Sequence, residues 1–261
     1  MDIKELNVNV EKESTQNHPW EYARARVIDC LLRRYIKKKS ADGYVADVGC
    51  GDIFFVHQFV CKHSKLKAAA VDIAFNDDII ASLKAKYSDQ EVLFFNDIQK
   101  VDLNGKPAKI VFLMDVLEHI EDDVTFLKTL VNSDFVNGET LFMITVPAFN
   151  SLYCSHDKWL GHYRRYDRKM LGDCIKSAGL KSETDGYFFT SILLPRWLKK
   201  MVESHQKEET EVTGIGGWNG GKLVSKVYEW ILLADFYFFR IFRIFGVKMP
   251  GLSTYAICKL Q

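Results

Sequence analysis

"VADVGCGDIFF", Val45 to Phe55, is the stretch on which the fold turns. The residues leading into it, from Tyr44 to Val48, are short, apolar and β-prone. Gly49 and Gly51 follow at once, and without a Cβ each lets the backbone turn sharply and come close to a ligand. A dinucleotide fingerprint G-x-G-x-x-G would need a glycine at position 54, which is Phe54. No G-x-x-x-x-G-K-[ST] occurs anywhere, which removes the triphosphate-binding loop as well. What survives is an acidic residue, x, Gly, x, Gly: Asp47, Gly49 and Gly51. A carboxylate placed there repels phosphate and attracts cations, so the loop suits a ligand carrying an ammonium and a sulfonium. A plain strand-to-helix turn is the competing reading.

Outward from this loop, short apolar runs alternate with helical stretches. "YVADVG", "AAAVDI", "EVLFF", "KIVFLMD" and "TLFMITV" read as strands, and 53–64, 77–87 and 121–131 as helices. An amphipathic helix from His18 to Ile36 precedes them, with Pro19 in its first turn. This alternation predicts an α/β fold, a doubly wound, mostly parallel Rossmann-like sheet of seven strands. Ligands then belong at the carboxyl ends of the strands. Beyond the helix "RKMLGDCIKSAGL" comes the strand-like "SETDGYFFT", after which regularity fails. The core is expected in 1–190 and 250–261, with 191–249 a helical cap and the charged, Gly-rich 206–221 a flexible loop within it.

Thirty-five basic against thirty-four acidic residues give a formal charge of +1, so no global field draws the chain to nucleic acid. The runs Arg33-Arg34 and Lys37-Lys38-Lys39 read as the wet end of a helix. Six scattered cysteines with no C-x-x-C pair argue against both a disulfide framework and a zinc site, and point to a reducing cytoplasm. The polar, acidic N-terminus does not read as a signal peptide. No uncharged run reaches the roughly 20 residues of a membrane span. Residues 223–245, "LVSKVYEWILLADFYFFRIFRIF", are apolar almost around a helix. Such a helix is buried, forms a dimer contact or lies in a bilayer surface, so a monomer or homodimer, cytoplasmic or peripheral to the inner face of a membrane, is expected.

Two further strand ends are acidic. Asp72 lies twenty-three residues after Gly49, an offset from which a carboxylate can accept both hydroxyls of a ribose, and Asp97 in "FFNDI" ends the third strand. With the phrase "MDVLEHIEDD" (Met114 to Asp123) the chain resembles the class I S-adenosylmethionine-dependent methyltransferases, in the small-molecule branch that includes the ubiquinone-pathway O-methyltransferases. "HPWEYARAR" (His18 to Arg26) and "VPAFNSLYCSHDKWLGHYRRYDRKML" (Val146 to Leu171) resemble a bacterial subgroup encoded among glycan and natural-product biosynthesis genes. The resemblance runs from about residue 18 to 185.

It implies that Asp47, Gly49 and Gly51 line the methionine part of S-adenosyl-L-methionine, that Asp72 with Ile73 holds the ribose, and that Asp97 and Ile98 meet the adenine. Asp115 and Val116 would flank the sulfonium, with Trp20 and Arg24 closing over the cofactor, which leaves as S-adenosyl-L-homocysteine. The departure is at Ile53, where the family usually has a third glycine.

Methyl transfer to a hydroxyl needs an oriented acceptor and a base near neutrality. The expected order of candidates is His156, then His162 and His119. Asp157, Arg164, Arg165 and Tyr166, packed into the same connection, are expected to meet the acceptor; the two arginines could equally hold Asp157 or Asp167 and shape the loop. Glu118-His119 with Asp115 offers metal ligands, but the spacing is not diagnostic and no metal is expected. The expected function is methyl transfer to a small-molecule acceptor at oxygen, such as a sugar, a glycolipid precursor or another secondary metabolite. The alternative is a non-catalytic regulatory or scaffold module that binds the same cofactor; a dinucleotide oxidoreductase is disfavoured by Phe54.

Overall fold

The computed structural model describes residues 18–36, 42–89, 91–203, 220–242 and 245–261. Seven strands, β1 (Gly43–Val48), β2 (Leu66–Val71), β3 (Val92–Phe95), β4 (Ala108–Met114), β5 (Leu141–Pro147), β6 (Leu180–Phe188) and β7 (Ser253–Leu260), form one sheet. Their order is β3-β2-β1-β4-β5-β7-β6, parallel throughout except for β7, which runs antiparallel between β5 and β6. Eight described helices accompany them: α1 (Pro19–Ile36), α2 (Phe54–Lys62), α3 (Asp77–Lys86), α4 (Asp123–Val131), α5 (Ser155–Leu160), α6 (Arg168–Ser177), α7 (Leu193–Glu203) and α8 (Lys222–Phe242).

Alternate residues of each strand face opposite layers. Val45, Ile110, Phe112 and Met143 pack with α1, α2 and α8, whereas Ala46, Val111, Leu113 and Ile144 pack with α4 and α6. Burial on both faces is why the central strands read as unbroken apolar runs rather than as alternation. Helix starts follow capping chemistry: the side chains of Asn76, Asp122 and Asp167 accept the backbone N–H of Ile79, Thr125 and Met170. This cap explains why the helix expected over 121–131 begins at Asp123, preceded by a 3-10 turn at Leu117–His119.

Both α7 and α8 lie between β6 and β7 in the chain, so the stretch in which regularity was expected to fail carries a helix, α7. Its start is held by Asp235 of α8, which accepts the N–H groups of Thr190 and Ser191 at 2.9 and 2.7 Å. Of the loop expected over 206–221, residues 206–219 lie outside the described residues, as do 243–244 of the apolar segment and Lys37, Lys38 and Lys39.

The return of the chain into β7 is sterically exacting. Leu252 donates to Phe189 and accepts from Ala148, bridging the ends of β6 and β5. A Cβ on the preceding Gly251 would lie 2.3 Å from the Phe188 carbonyl oxygen. Backbone cannot yield as a side-chain tip can, so Gly251→Ala should lower stability by about 1–3 kcal/mol. Chemical denaturation of the variant beside the parent measures this.

Candidate functional site

The strand order reverses between β1 and β4, which opens a crevice beyond their carboxyl ends. The Gly49–Ile53 loop lies there. Gly49 donates to the Val71 carbonyl at 2.7 Å, and Gly51 donates to the Asp72 carboxylate at 2.9 Å, so the end of β2 fixes the loop. The other Asp72 oxygen accepts the Ala74 N–H at 3.0 Å. Gly49 has φ +72°, and a Cβ on it would stand 2.7 Å from Val116 Cγ2. Two independent constraints thus require glycine at that position.

Residues 49, 51 and 53 all adopt the left-handed conformation, with φ of 72°, 57° and 55°. Ile53 therefore keeps the backbone that a third glycine would have, although the side chain is β-branched. The strain is on the order of 1–3 kcal/mol. Ile53 is fully buried in the core, and burying such a side chain returns about 1.5–3 kcal/mol. The two magnitudes match, which is how isoleucine is tolerated and why α2 still begins at Phe54.

Three more non-glycine residues with positive φ stand at strand ends on this edge: Asp115 after β4, Phe149 after β5 and Phe189 after β6. Asp115 is over-determined. Its N–H donates to the Thr145 carbonyl, its carboxylate accepts the Thr145 hydroxyl at 3.0 Å, and its other oxygen pairs with the Arg24 guanidinium. Arg24 reaches it from α1, buried over the crevice, while Trp20 packs its ring 4.4 Å from that of Phe189. Asp97 and Ile98 stand half-buried at the end of β3, where Asp97 accepts the Gln99 N–H. Ile73 is 88% exposed.

The connection after β5 forms the second half of the site. A 3-10 turn (Asn150–Leu152) and α5 occupy what the sequence presents as an irregular link. At its centre is Asp157, completely buried, which accepts from His162 Nδ1 and Arg165 Nε at 2.8 Å each and from the Cys154 N–H at 2.9 Å. Burial alone would raise this carboxyl, but the bonds from His162 and Arg165 outweigh it and hold Asp157 well below the usual range. An ionised Asp157 only accepts, so His162 carries its proton on Nδ1 and presents Nε2 on the opposite side.

His162 meets His119 edge to face, with ring centroids 4.5 Å apart, and Tyr163 N–H ties the connection to the Glu118 carbonyl at 2.7 Å. His156 is stacked on Trp159; burial, and then Arg196, lower its pKa. Asp157 thus orients the His162 ring.

The remaining expected acceptor contacts are engaged with protein groups. Arg164 bonds Asp123 and the Glu121 carbonyl, and Tyr166, fully buried, donates to Asp123 at 2.6 Å. Sequence reasoning missed Arg196 of α7, which reaches to 3.9 Å from Asp157 and links the cap to the site. Glu118, His119 and His162 bring one ligand atom each to within 4.8 Å of one another. His162 takes the place that the sequence suggested for Asp115, whose oxygens are engaged elsewhere. Glu118 is buried with its Oε2 unpartnered, and burial, reinforced by Asp115, raises its pKa well above the ordinary carboxyl range.

No protein-family model and no curated protein matches the sequence. Solved structures do match. A SAM-dependent methyltransferase from Archaeoglobus fulgidus aligns over 90% of this chain and 94% of its own, at 17% identity and TM-score 0.51. The plantazolicin methyltransferase BamL, solved with a triazolic desmethylPZN analog and SAH, aligns over 98% and 90%, at 14% identity and TM-score 0.54. The chain has the class I methyltransferase fold. A structure described as a pericyclic reaction enzyme also aligns, over 88% of this chain at 11% identity and TM-score 0.52, but this chain spans only 47% of that one. The methyltransferase fold therefore leaves the reaction to be argued from the site.

Asp47 is the residue on which that argument turns. It is buried at the end of β1, and its Oδ1 has no hydrogen-bond partner. Burial pushes its carboxyl up to about 8, with Arg24 opposing and Asp72 and Asp52 reinforcing. The folded value lies above the ordinary 3.8. Between the two values the folded state binds more protons than the unfolded chain, so stability falls as pH rises from about 4 to about 8. Asp47→Asn should then melt above the parent at pH 8, with the difference shrinking towards zero near pH 4. Thermal unfolding of both proteins across that window checks the sign.

Proposed function

We propose that the chain is an S-adenosyl-L-methionine-dependent methyltransferase acting on a small-molecule acceptor, at oxygen. The observation that carries this reading is Asp47, a buried carboxyl with an unpartnered oxygen beneath a glycine loop too tight for any Cβ at Gly49. Burying such a group is costly unless it meets a cation or a donor. A ligand with an ammonium and a sulfonium answers that need, and a pyrophosphate does not.

The residues present fit the cofactor. Asp47 would receive the ammonium end, Gly49 and Gly51 would admit the chain of the ligand against the backbone, Asp72 would hold the ribose, and Asp97 with Ile98 would meet the base. When bound, the cofactor supplies an electrophilic methyl group and leaves as a neutral thioether. The protein's share is to orient the acceptor and remove its proton. His162 Nε2 takes that proton as the acceptor oxygen attacks, and Asp157 holds the imidazole in the required tautomer and balances the charge it gains. His162 and Arg165 keep Asp157 ionised, and Arg24 spans from α1 to Asp115 over the crevice.

The unpartnered Oε2 of Glu118 favours a second reading of the acceptor side. Glu118, His119 and His162 would hold a divalent cation, which would supply polarisation of the acceptor oxygen. Chelation separates the two: turnover survives it if His162 is the base and is lost, then restored by added metal, if the cation is required.

S-adenosylhomocysteine should raise the melting temperature of the protein by several degrees, whereas NAD should not, and Gly49→Ala should abolish the shift. A parent protein indifferent to both S-adenosyl compounds would refute the reading. For catalysis, His162→Asn should lower kcat about 10²–10⁴-fold while retaining the thermal shift, and His156→Asn should cost far less. Release of S-adenosylhomocysteine over a panel of phenolic, sugar and lipid-linked sugar acceptors measures both effects and ranks the acceptors.

A further inference from the structure

None of the described helices is long and apolar enough to cross a membrane, yet α8 presents a large apolar face to solvent. Its inner side, through Leu232, Leu233 and Phe236, packs into the core that α1 shares. On the outer side Leu223, Val227, Trp230, Ile231, Phe238 and Ile241 are each more than half exposed. They fall along one broad face, at spacings of three, four and seven residues apart from the adjacent Trp230 and Ile231, of a helix roughly 30 Å long. Exposed apolar patches of this extent mark interaction surfaces.

The charges of α8 are sorted by sign, which the sequence alone does not reveal. Both acids are turned inward: Glu229 is buried with Arg26 Nε 2.9 Å from its Oε1, and Asp235 is buried at the start of α7. Lys222, Lys226 and Arg240 are exposed. Among the described residues, the exposed charged side chains of α8 are therefore all cationic. The amphipathic α7 continues the pattern, with Leu194, Trp197, Leu198 and Met201 exposed and Lys200 at its last turn.

We infer that this face seats the protein on an anionic membrane surface, with aromatic and aliphatic side chains in the headgroup–acyl boundary and the cations against lipid phosphates. Charge chooses this occupant over a second copy of the chain. An isologous contact through this face would bring the cations Lys222, Lys226 and Arg240 of one copy towards the same three cations of the other, with no exposed acid of α8 among the described residues to answer them. The helix α1 that rests on α8 also carries Arg24 into the crevice, so the docked face adjoins the covering of the site.

The full chain should co-sediment with phosphatidylcholine vesicles containing half phosphatidylglycerol, and not with phosphatidylcholine alone. Binding should fall at least tenfold between about 50 and 500 mM salt. Trp230→Ser with Phe238→Ser should remove vesicle binding while leaving the circular dichroism spectrum and the S-adenosylhomocysteine thermal shift unchanged. Lys222→Glu with Lys226→Glu, fully on the surface, should remove the preference for anionic lipid. The inference is overturned if the parent stays in the supernatant with anionic vesicles, if either double variant binds as the parent does, or if light scattering shows a dimer that Trp230→Ser with Phe238→Ser dissociates. The readout is binding rather than turnover, so failure here and failure of the methyl-transfer reading are separate results.

Discussion

The contact between Gly49 and Val116 is the constraint on which the rest of the site depends. The loop after β1 and the loop after β4 meet where the strand order reverses, with 2.7 Å between Val116 Cγ2 and the place a Cβ on Gly49 would occupy. That closeness brings Asp47, at the end of β1, together with Asp115, at the end of β4, so that one arginine, Arg24, acts on both. It also turns the 3-10 segment Leu117–His119 towards the connection after β5, where Tyr163 and His162 receive it. A wider crevice would separate the carboxylates from the histidine pair, and there would be two sites rather than one.

Backbone strain is concentrated on the same edge. Ile53, Asp115, Phe149 and Phe189 have left-handed backbones, and all four follow the carboxyl ends of strands. Such residues persist only where their surroundings over-determine them. Asp115 is held by two bonds with Thr145 and one with Arg24, and Ile53 by complete burial. In each case the strain aims a backbone turn rather than a side chain: it lets α2 begin directly behind the glycine loop and lets the chain after β4 bend towards the histidines.

The alternation of strands and helices was readable because a buried parallel strand needs a continuous apolar run and a surface helix needs a stripe, and this chain supplies both without ambiguity. Asp47, Gly49, Gly51 and Asp72 were readable because their spacing is local. The acceptor side was not, since its partnerships span long sequence distances: Arg196 approaches Asp157 from α7, which α6 and β6 separate from α5 in the chain. Nor does sequence distinguish His156 from His162. The two are six residues apart in one polar segment, and only α5, by folding the chain back on Asp157, gives one of them a carboxylate. The orientation of Glu229 and Asp235 on α8 is likewise a product of packing against α1 and α7, which no helical pattern alone reveals.

The carboxyl groups of the site fall into two kinds, those completed by protein donors and those left incomplete. Asp157 and Asp115 are satisfied: each has an arginine and further donors, and each acts by holding other groups. Asp47 and Glu118 are not; both are buried, each has one oxygen unpartnered, and both are driven towards the neutral form. Completing their hydrogen bonding with protein groups would have stabilised the fold, as it does at Asp157. Leaving them incomplete costs stability that a ligand can restore, because a cation beside Asp47 or Glu118 returns to the carboxylate the interaction that burial removed. The two incomplete groups also stand on opposite sides of Asp115 in the chain. The apolar core could not have supplied this asymmetry, and the proposed seating of two different ligands in one crevice rests on it.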